Sequence, residues 1–282
     1  MKRILCLALL AAICCALPLA FCGVAACAET VPAASTDYKN DPIYLFAKQF
    51  VEACPTRSGE IAEKAAADWL KTRFDELLPE TSPSAIDRVS GYDRAVFNLS
   101  CKLDNPNTDR QIIIGAHYDA VSGSNGVGDN AFGVAALYTL LKTFATGSRF
   151  VPYDLVFVAF GGEELGLVGS YGYVNGMSEA DKQRTALMIN LDSLVFGDKL
   201  YLHCENKSTD IADLFKSHVD GIAEKPYRKG VMTNGYDVYG YGYYETIQGS
   251  DHTPFRLAGI PVAFFFSGNY DGMAYAESAN AN

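Results

Sequence analysis

Short apolar runs alternate with helical patterns through the middle of the chain. Residues 111–116, 154–160 and 187–191 are largely apolar and have the length of buried strands. Residues 200–203 and 261–266 form two further runs of this kind. Strands that are apolar on both faces and alternate with helices are typical of a largely parallel sheet covered on both sides. The pattern therefore predicts an α/β fold built on such a sheet.

The strongest helical pattern opens at Ser58-Gly59-Glu60 and is expected to end at Pro79. Its apolar residues recur at helical spacing and are Ala66, Leu70, Phe74, Leu77 and Leu78. A loosely alternating segment, 92–103, predicts a strand that forms a hairpin with 85–90. The other predicted helices are 42–54, 130–144, 165–173 and 211–218.

Residues 226–250 combine six tyrosines with several glycines and are too irregular for a helix. Two interpretations stay open: a loop beside a pocket, or a surface loop with exposed aromatic side chains. No internal repeat and no low-complexity linker divides residues 41–282. These residues are therefore expected to form one domain.

The first 28 residues have the pattern of an export signal. Lys2 and Arg3 precede an apolar run over 4–21, and Ala26-Cys27-Ala28 offers a cleavage site. Residues 29–40 then form a leader. The alternatives are an uncleaved membrane anchor and a lipoprotein signal, since Val24-Ala25-Ala26-Cys27 resembles a lipobox with Cys27 as the acylated residue. The chain is thus expected to be secreted or periplasmic, or lipid-anchored at the cell surface.

Charge and cysteine content narrow the possible partners. The net charge of −10 becomes −12 once Lys2 and Arg3 are removed with the signal, which argues against binding to nucleic acid or to anionic lipid. Of eight cysteines, only Cys54, Cys101 and Cys204 follow the export segment. An odd number of cysteines with no C-x-x-C pattern predicts neither a disulfide framework nor a cysteine-based zinc site.

Histidine and carboxylate side chains follow three of the predicted strands directly. His117 and Asp119 come after 111–116, Glu163 and Glu164 after 154–160, and Asp192 after 187–191. In parallel α/β sheets, ligands bind beyond the carboxyl ends of the strands. These side chains are therefore expected to meet at one edge of the sheet.

Two more residues of metal-ligand type lie in loops. Asp129 follows the glycine-rich segment 122–128, where the alternative is a helix N-cap, and His252 precedes a short predicted helix. Two histidines and three carboxylates suit a pair of zinc ions. Asp119, two residues from His117, could hydrogen-bond the ring nitrogen that faces away from a metal. The remaining histidines, His203 and His218, are expected to be ordinary packing or surface residues.

In combination, these segments resemble the exported di-zinc aminopeptidases, whose fold is shared with glutaminyl cyclases. The similarity covers residues 40–266, and Arg57-Ser58-Gly59 also matches the start of the family pattern. Phe132 departs from it, because the family usually has a small residue there. The matching segments are GAHYD at 115–119, GDNAFG at 128–133, GEELGLVGS at 162–170, NLD at 190–192 and SDHTPF at 250–255.

The resemblance implies a three-layer α/β/α sandwich around a mixed, mostly parallel sheet, and a site with two zinc ions that cleaves peptide substrates. It assigns roles to seven residues. Asp129 would bridge the metals and be joined to Asn130 by a cis peptide bond. His117 and Asp192 would complete the coordination of one metal, and Glu164 and His252 that of the other. Glu163 would be the general base, and Asp119 would support His117.

Two rival functions share this resemblance. A glutaminyl cyclase uses one zinc in the same site and tends to wall its pocket with tryptophan, whereas this chain has only Trp69, on an early helix. A non-catalytic binding domain would have lost the site, and the presence of Glu163 argues against it. The preferred first residue of the substrate and the oligomeric state are not predicted.

Overall fold

The computed structural model describes residues 38–91, 93–147, 151–196, 199–205, 231–233 and 249–268. The expected export signal, the 211–218 helix and most of the tyrosine-rich 226–250 segment lie outside the described residues. Within the described residues, no helix combines the length and apolar character needed to cross a bilayer.

Six α-helices are described. Helix α1 begins after Asp41, whose carboxylate accepts hydrogen bonds from the amides of Ile43 and Tyr44 at 2.9 and 3.3 Å, and a 3-10 turn at Tyr38–Asn40 precedes it. The bounds are α1 Pro42–Ala53, α2 Glu60–Asp75, α3 Phe132–Thr146, α4 Val168–Gly176, α5 Glu179–Arg184 and α6 His252–Leu257.

Three helix predictions are corrected in their bounds by two residues or more, and one helix was missed. The helix predicted over 130–144 is observed as α3, Phe132–Thr146. Helix α2 ends at Asp75, so Leu77 and Leu78 pack on the core from the turn that follows instead of from the helix. Helix α4 begins three residues later than predicted because a 3-10 turn, Glu163–Leu165, comes first. The short polar helix α5 has no apolar periodicity that could have predicted it.

Eight strands form one sheet in the order β1-β2-β4-β3-β5-β8-β6-β7. The predicted hairpin is confirmed as β1–β2, while the three-residue strand β7 was not predicted. The bounds are β1 Ala85–Ser90, β2 Ala95–Leu103, β3 Gln111–His117, β4 Asp154–Phe160, β5 Thr185–Leu191, β6 Lys199–Glu205, β7 Val231–Thr233 and β8 Val262–Gly268.

The sheet is mixed, with a parallel centre covered on both faces. Strands β4, β3, β5 and β8 run parallel to one another, whereas β2 and β6 pair antiparallel to this block. Side chains alternate across β3: Ile112 and Ile114 join the core beneath α1, α2 and α3, and Ile113 joins the core beneath α4 and α6. The predicted three-layer α/β/α sandwich is confirmed.

Candidate active site

The candidate site lies where the central parallel strands end. His117 is the last residue of β3, and Asp192 directly follows β5. The turn that carries Glu163 and Glu164 follows β4 after two glycines. Because β4, β3 and β5 are parallel neighbours, their carboxyl ends reach the same edge of the sheet.

Three side chains of metal-ligand type converge at this edge. The Nε2 atom of His117 lies 2.9 Å from Oδ1 of Asp129 and 3.3 Å from Oδ1 of Asp192. One ligand atom from each residue lies within 4.8 Å of the other two. An imidazole and two carboxylates form the mixed nitrogen and oxygen donor set that zinc prefers in proteins.

Asp129 is placed by the turn Val127–Ala131, in which its peptide bond to Asn130 is cis, as the resemblance implies. Asn130 anchors this turn to the end of β5. Its side chain donates to the carbonyl of Leu191 at 2.8 Å and accepts from the amide of Gly133 at 3.0 Å. Helix α3 starts only at Phe132, so the alternative that Asp129 caps this helix is wrong.

Asp119 links the end of β3 to the loop after β4. Its two carboxylate oxygens accept hydrogen bonds from the amides of Glu163 and Glu164 at 3.1 and 3.2 Å. The same carboxylate lies 3.5 Å from Nδ1 of His117, which is an ion-pair distance, longer than a close hydrogen bond. Asp119 thereby ties the turn that carries the two glutamates to the end of β3.

Asp192 is held by a chain of hydrogen bonds that was not anticipated from the sequence. The Ser250 hydroxyl donates to Oδ2 of Asp192 at 2.6 Å and accepts from the side-chain amide of Asn190 at 2.7 Å. Both partners lie inside matched segments, NLD and SDHTPF. Asn190 and Ser250 each lie two residues from a candidate ligand in the sequence, and this proximity could have identified them as supporting residues.

Glu164 and His252 stand apart from the converging group. Among the described residues, the cluster with ligand atoms within 4.8 Å contains neither of them. His252 opens α6, is buried, and stacks on the ring of Phe264 with a centroid distance of 4.3 Å. His203, expected to be a packing or surface residue, is buried with its ring centroid 6.4 Å from that of His252.

The site holds more acidic than basic groups, and the ionisation of its carboxyls reflects this. Burial raises the pKa of Glu163 well above its ordinary value, with Asp192 and Asp251 adding to the shift against the opposing effect of His117. Burial likewise raises the pKa of Glu164 to about 7 and that of the fully buried Asp251 to about 7. A bound divalent cation would relieve this crowding of negative charge, so the residues present fit a metal site.

The acidic surroundings also shift the pKa of His117. Burial disfavours the charged imidazole, but the carboxylates of Asp192 and Glu163 outweigh it, and the pKa of His117 rises well above its ordinary value. His117 in turn holds the pKa of Asp192 below its ordinary value despite burial. The carboxylates at this edge thus favour a positive charge at the position of the His117 ring.

The chain belongs to Peptidase family M28, whose model matches residues 98–280, more than half of the chain. The chain is 30% identical over 211 residues to Leupeptin-inactivating enzyme 1 of Streptomyces exfoliatus, covering 74% of this chain and 44% of that relative. It is 30% identical over 162 residues to Aminopeptidase YwaD of Bacillus subtilis, covering 56% of this chain and 32% of that relative. The chain therefore spans less than half the length of either relative.

The fold is also similar to that of a glutaminyl cyclase from Porphyromonas gingivalis. That structure aligns with a TM-score of 0.64 and 16% sequence identity, covering 86% of this chain and 89% of the other. The likeness concerns the fold alone, so it does not choose between a peptidase and a cyclase. Membership of Peptidase family M28 favours the peptidase.

Proposed function

We propose that this protein is a zinc-dependent aminopeptidase that removes the N-terminal residue of peptides. The observation that carries the proposal is the convergence of His117, Asp129 and Asp192 beside the turn that bears Glu163. Membership of Peptidase family M28 and the likeness to an aminopeptidase of Bacillus subtilis support the same conclusion.

Two zinc ions would be held by five side chains. Asp129 would be shared by both ions. His117 and Asp192 would complete the coordination of the first ion, and Glu164 and His252 that of the second. Bound there, the ions would supply Lewis-acid activation of a water molecule and of the substrate carbonyl. The raised pKa of Glu164 and the excess of carboxylates support a site built for more than one positive charge.

Glu163 is proposed as the general base. It would take a proton from the attacking water and return it to the leaving amine, which requires a group that gains and loses a proton near neutral pH. Burial and the neighbouring carboxylates raise its pKa in that direction. Asp119 accepts a hydrogen bond from the amide of Glu163 and would thereby help to hold this residue in place.

The rival cyclase reaction predicts a different pocket. Trp69 packs among core aromatics, with its ring centroid 5.6 Å from that of Phe46 and 5.5 Å from that of Phe50. It lies on α2 within the helical layer and does not wall the site. The peptidase is therefore the better-supported function.

Location and domain organisation are proposed from the sequence pattern. Residues 1–28 would direct export, with lipid attachment at Cys27 as the alternative to free secretion. Residues 29–40 would form a leader, and 41–282 the peptidase domain. Peptide substrates are the expected partners.

An assay with aminoacyl chromogenic substrates and N-terminal glutamine peptides tests the reaction directly. We expect the aminoacyl substrates to be hydrolysed, the activity to be lost on chelation, and about two zinc ions per chain in the active protein. Cyclisation of the glutamine peptides without hydrolysis of the others, at one zinc per chain, would favour the cyclase instead.

The role of Glu163 is tested by Glu163→Gln. This change keeps the shape of the side chain and removes the base, so hydrolysis should fall at least a hundredfold, within the range that general-base catalysis supplies, about 10²–10⁴-fold. Zinc content should stay unchanged. Glu179→Gln, at an exposed glutamate of α5, is the matched control and should keep full activity. Unchanged turnover in Glu163→Gln would refute the assignment.

A further inference from the structure

Arg57 is fully buried and donates only to backbone carbonyls in the described contacts. Its Nε donates to Tyr118 O at 2.6 Å, and its Nη1 donates to Cys54 O and Asn125 O, both at 2.9 Å. Its Nη2 donates to Gly126 O at 2.9 Å. One guanidinium therefore joins the end of α1 to two separate points of the chain that follows β3.

These two points flank the candidate ligands. Tyr118 lies between His117 and Asp119, and Gly126 lies three residues before Asp129. The Gly126 carbonyl also accepts a hydrogen bond from the amide of Ala131 at 2.9 Å, which closes the turn around Asp129. Moving the guanidinium would therefore shift the backbone on both sides of the His117–Asp129 contact.

The surroundings are shaped to hold an arginine here. Gly126 has a φ of +53°, and a Cβ at this position would collide with Nη2 of Arg57. The guanidinium carbon lies 4.8 Å from the centroid of the Phe50 ring. The planar guanidinium reaches four carbonyls in fixed directions, which the single ammonium of a lysine does not reproduce.

Charge reinforces the arrangement. Burial lowers the pKa of Arg57 to about 10, opposed by Cys54 and by the carboxylates of Asp119 and Asp129. The side chain thus stays charged at neutral pH. It places one permanent positive charge beside the acidic cluster without occupying the position where His117, Asp129 and Asp192 meet.

We propose that Arg57 is a positioning residue that fixes the separation of His117 and Asp129 for metal binding before the metal arrives. The inference rests on the proposed metal site, but concerns the preorganisation of its ligands. Arg57 acts through the backbone of residues 118–126 and does not touch the substrate or the metal.

The first test measures zinc affinity in Arg57→Lys by competition with a chromogenic chelator, together with the absorption spectrum of the cobalt-substituted protein. We expect zinc to bind about 10–100-fold more weakly, as is typical when groups that orient metal ligands are removed, and the cobalt bands to change. Zinc affinity within twofold of the wild type, with an unchanged cobalt spectrum, would overturn the proposal.

Arg184→Met is the matched control. Arg184 pairs with Asp154 and Asp181 at 3.2 and 2.9 Å, at the edge of the sheet opposite the site, so its loss removes an arginine contact without touching residues 118–126. Its zinc affinity and cobalt spectrum should match those of the wild type. An equal loss of affinity in this control would show that general destabilisation, and not positioning, explains the effect.

The second test needs no substitution and therefore does not depend on the folding of a variant. Hydrogen exchange is followed in the wild-type protein with and without zinc. The amides of Ala120 and Ala131, which bond to the carbonyls of Arg57 and Gly126, should be protected already without zinc. Rapid exchange of both amides that slows only on adding zinc would overturn the proposal. A wild-type protein that binds no zinc at all would instead refute the proposed function.

Discussion

Glu63 is a fully buried acid directly beneath the loop that carries the candidate general base. One carboxylate oxygen pairs with Arg94 at 2.6 Å, and the other accepts from the amide of Phe97 at 3.3 Å. A Cβ on Gly161 would collide with this carboxylate, so the loop rests on it. Burial, with Asp119 adding to it and Arg94 opposing it, raises the pKa of Glu63 to about 7.

This shift predicts a pH dependence of stability. Between pH 4.5, the ordinary pKa of the side chain, and about 7, the folded protein holds a proton on Glu63 that the unfolded chain has released. The free energy of unfolding should therefore fall as pH rises through this window. In urea titrations of chelator-treated protein, Glu63→Gln should lose less stability over the window than the wild type.

The slope is the relevant readout, because Glu63→Gln also leaves Arg94 without its carboxylate at every pH. Glu60→Gln, at an exposed position one turn earlier in α2, is the control and should follow the wild-type slope. Parallel slopes for wild type and Glu63→Gln would show that Glu63 is ionised in the folded protein throughout the window.

At the scale of single residues, the sequence could predict chemistry at the ends of strands but not the contacts that support it. The placement of His117 and Asp192 follows from the length of apolar runs and from strand direction alone. The roles of Arg57 and Ser250 could not be predicted, because their partners, apart from Cys54, lie 61–69 and 58–60 positions away in the chain. Such contacts depend on the assembled sheet and not on local pattern.

At the scale of elements, the start of α3 lies unusually close to the end of β5. Gly133, in the first turn of α3, faces the side chain of Asn130 and the carbonyl of Leu191. A Cβ there would lie 2.5 Å from the Leu191 oxygen, which is backbone and has little freedom to move. Because Asn130 follows Asp129 directly, this close approach also fixes where Asp129 emerges.

Gly133→Ala should therefore destabilise the protein by about 1–3 kcal/mol, the usual range for overpacking a buried site. It should also weaken zinc binding by displacing Asn130. Gly176→Ala is the matched control, since a Cβ on this exposed glycine of α4 meets nothing within 4 Å. The control should be neutral or slightly stabilising in thermal unfolding. Equal behaviour of the two variants would contradict the close approach.

The bounds of the elements were the part of the fold that the sequence predicted least well. Leu77 and Leu78 continue the helical spacing of α2, yet they pack on the core from the turn after Asp75. Apolar spacing reports burial, and a turn can bury a side chain as well as a helix does. Strand β4 was predicted more closely, because after Asp154 it is an unbroken apolar run as far as Phe160.

At the scale of the whole molecule, the fold gathers acids from separate parts of the chain into one partly buried site. Asp119, Asp129, Glu163, Glu164 and Asp192 lie at one edge of the sheet, in a chain whose net charge is already −10. Like charges that are forced together oppose folding, and the raised pKa of Glu164 is one sign of it. Gathering these acids for function therefore lowers the stability of the folded protein.

Zinc should therefore stabilise the folded protein. At a free zinc concentration about 100-fold above the dissociation constant, linkage adds about 2.7 kcal/mol, which corresponds to a rise of about 5–10 °C in the unfolding midpoint for a domain of this size. Calorimetry with and without a chelator measures the rise. Magnesium is the ionic control and should raise the unfolding midpoint only slightly, because this ion favours sites of oxygen ligands in which it retains several water molecules.

The variant Asp129→Asn tests whether this carboxylate serves metal binding or the stability of the fold. Its carboxylate is about one-third exposed and approaches His117, so its removal should abolish most of the zinc-dependent rise. Because one negative charge leaves the crowded edge, the metal-free variant should unfold at the same temperature as the metal-free wild type or higher. Asp181→Asn, at a surface acid of α5, should keep the full zinc effect. A metal-free Asp129→Asn protein that is clearly less stable than the wild type would mean that this carboxylate serves the fold and not the metal.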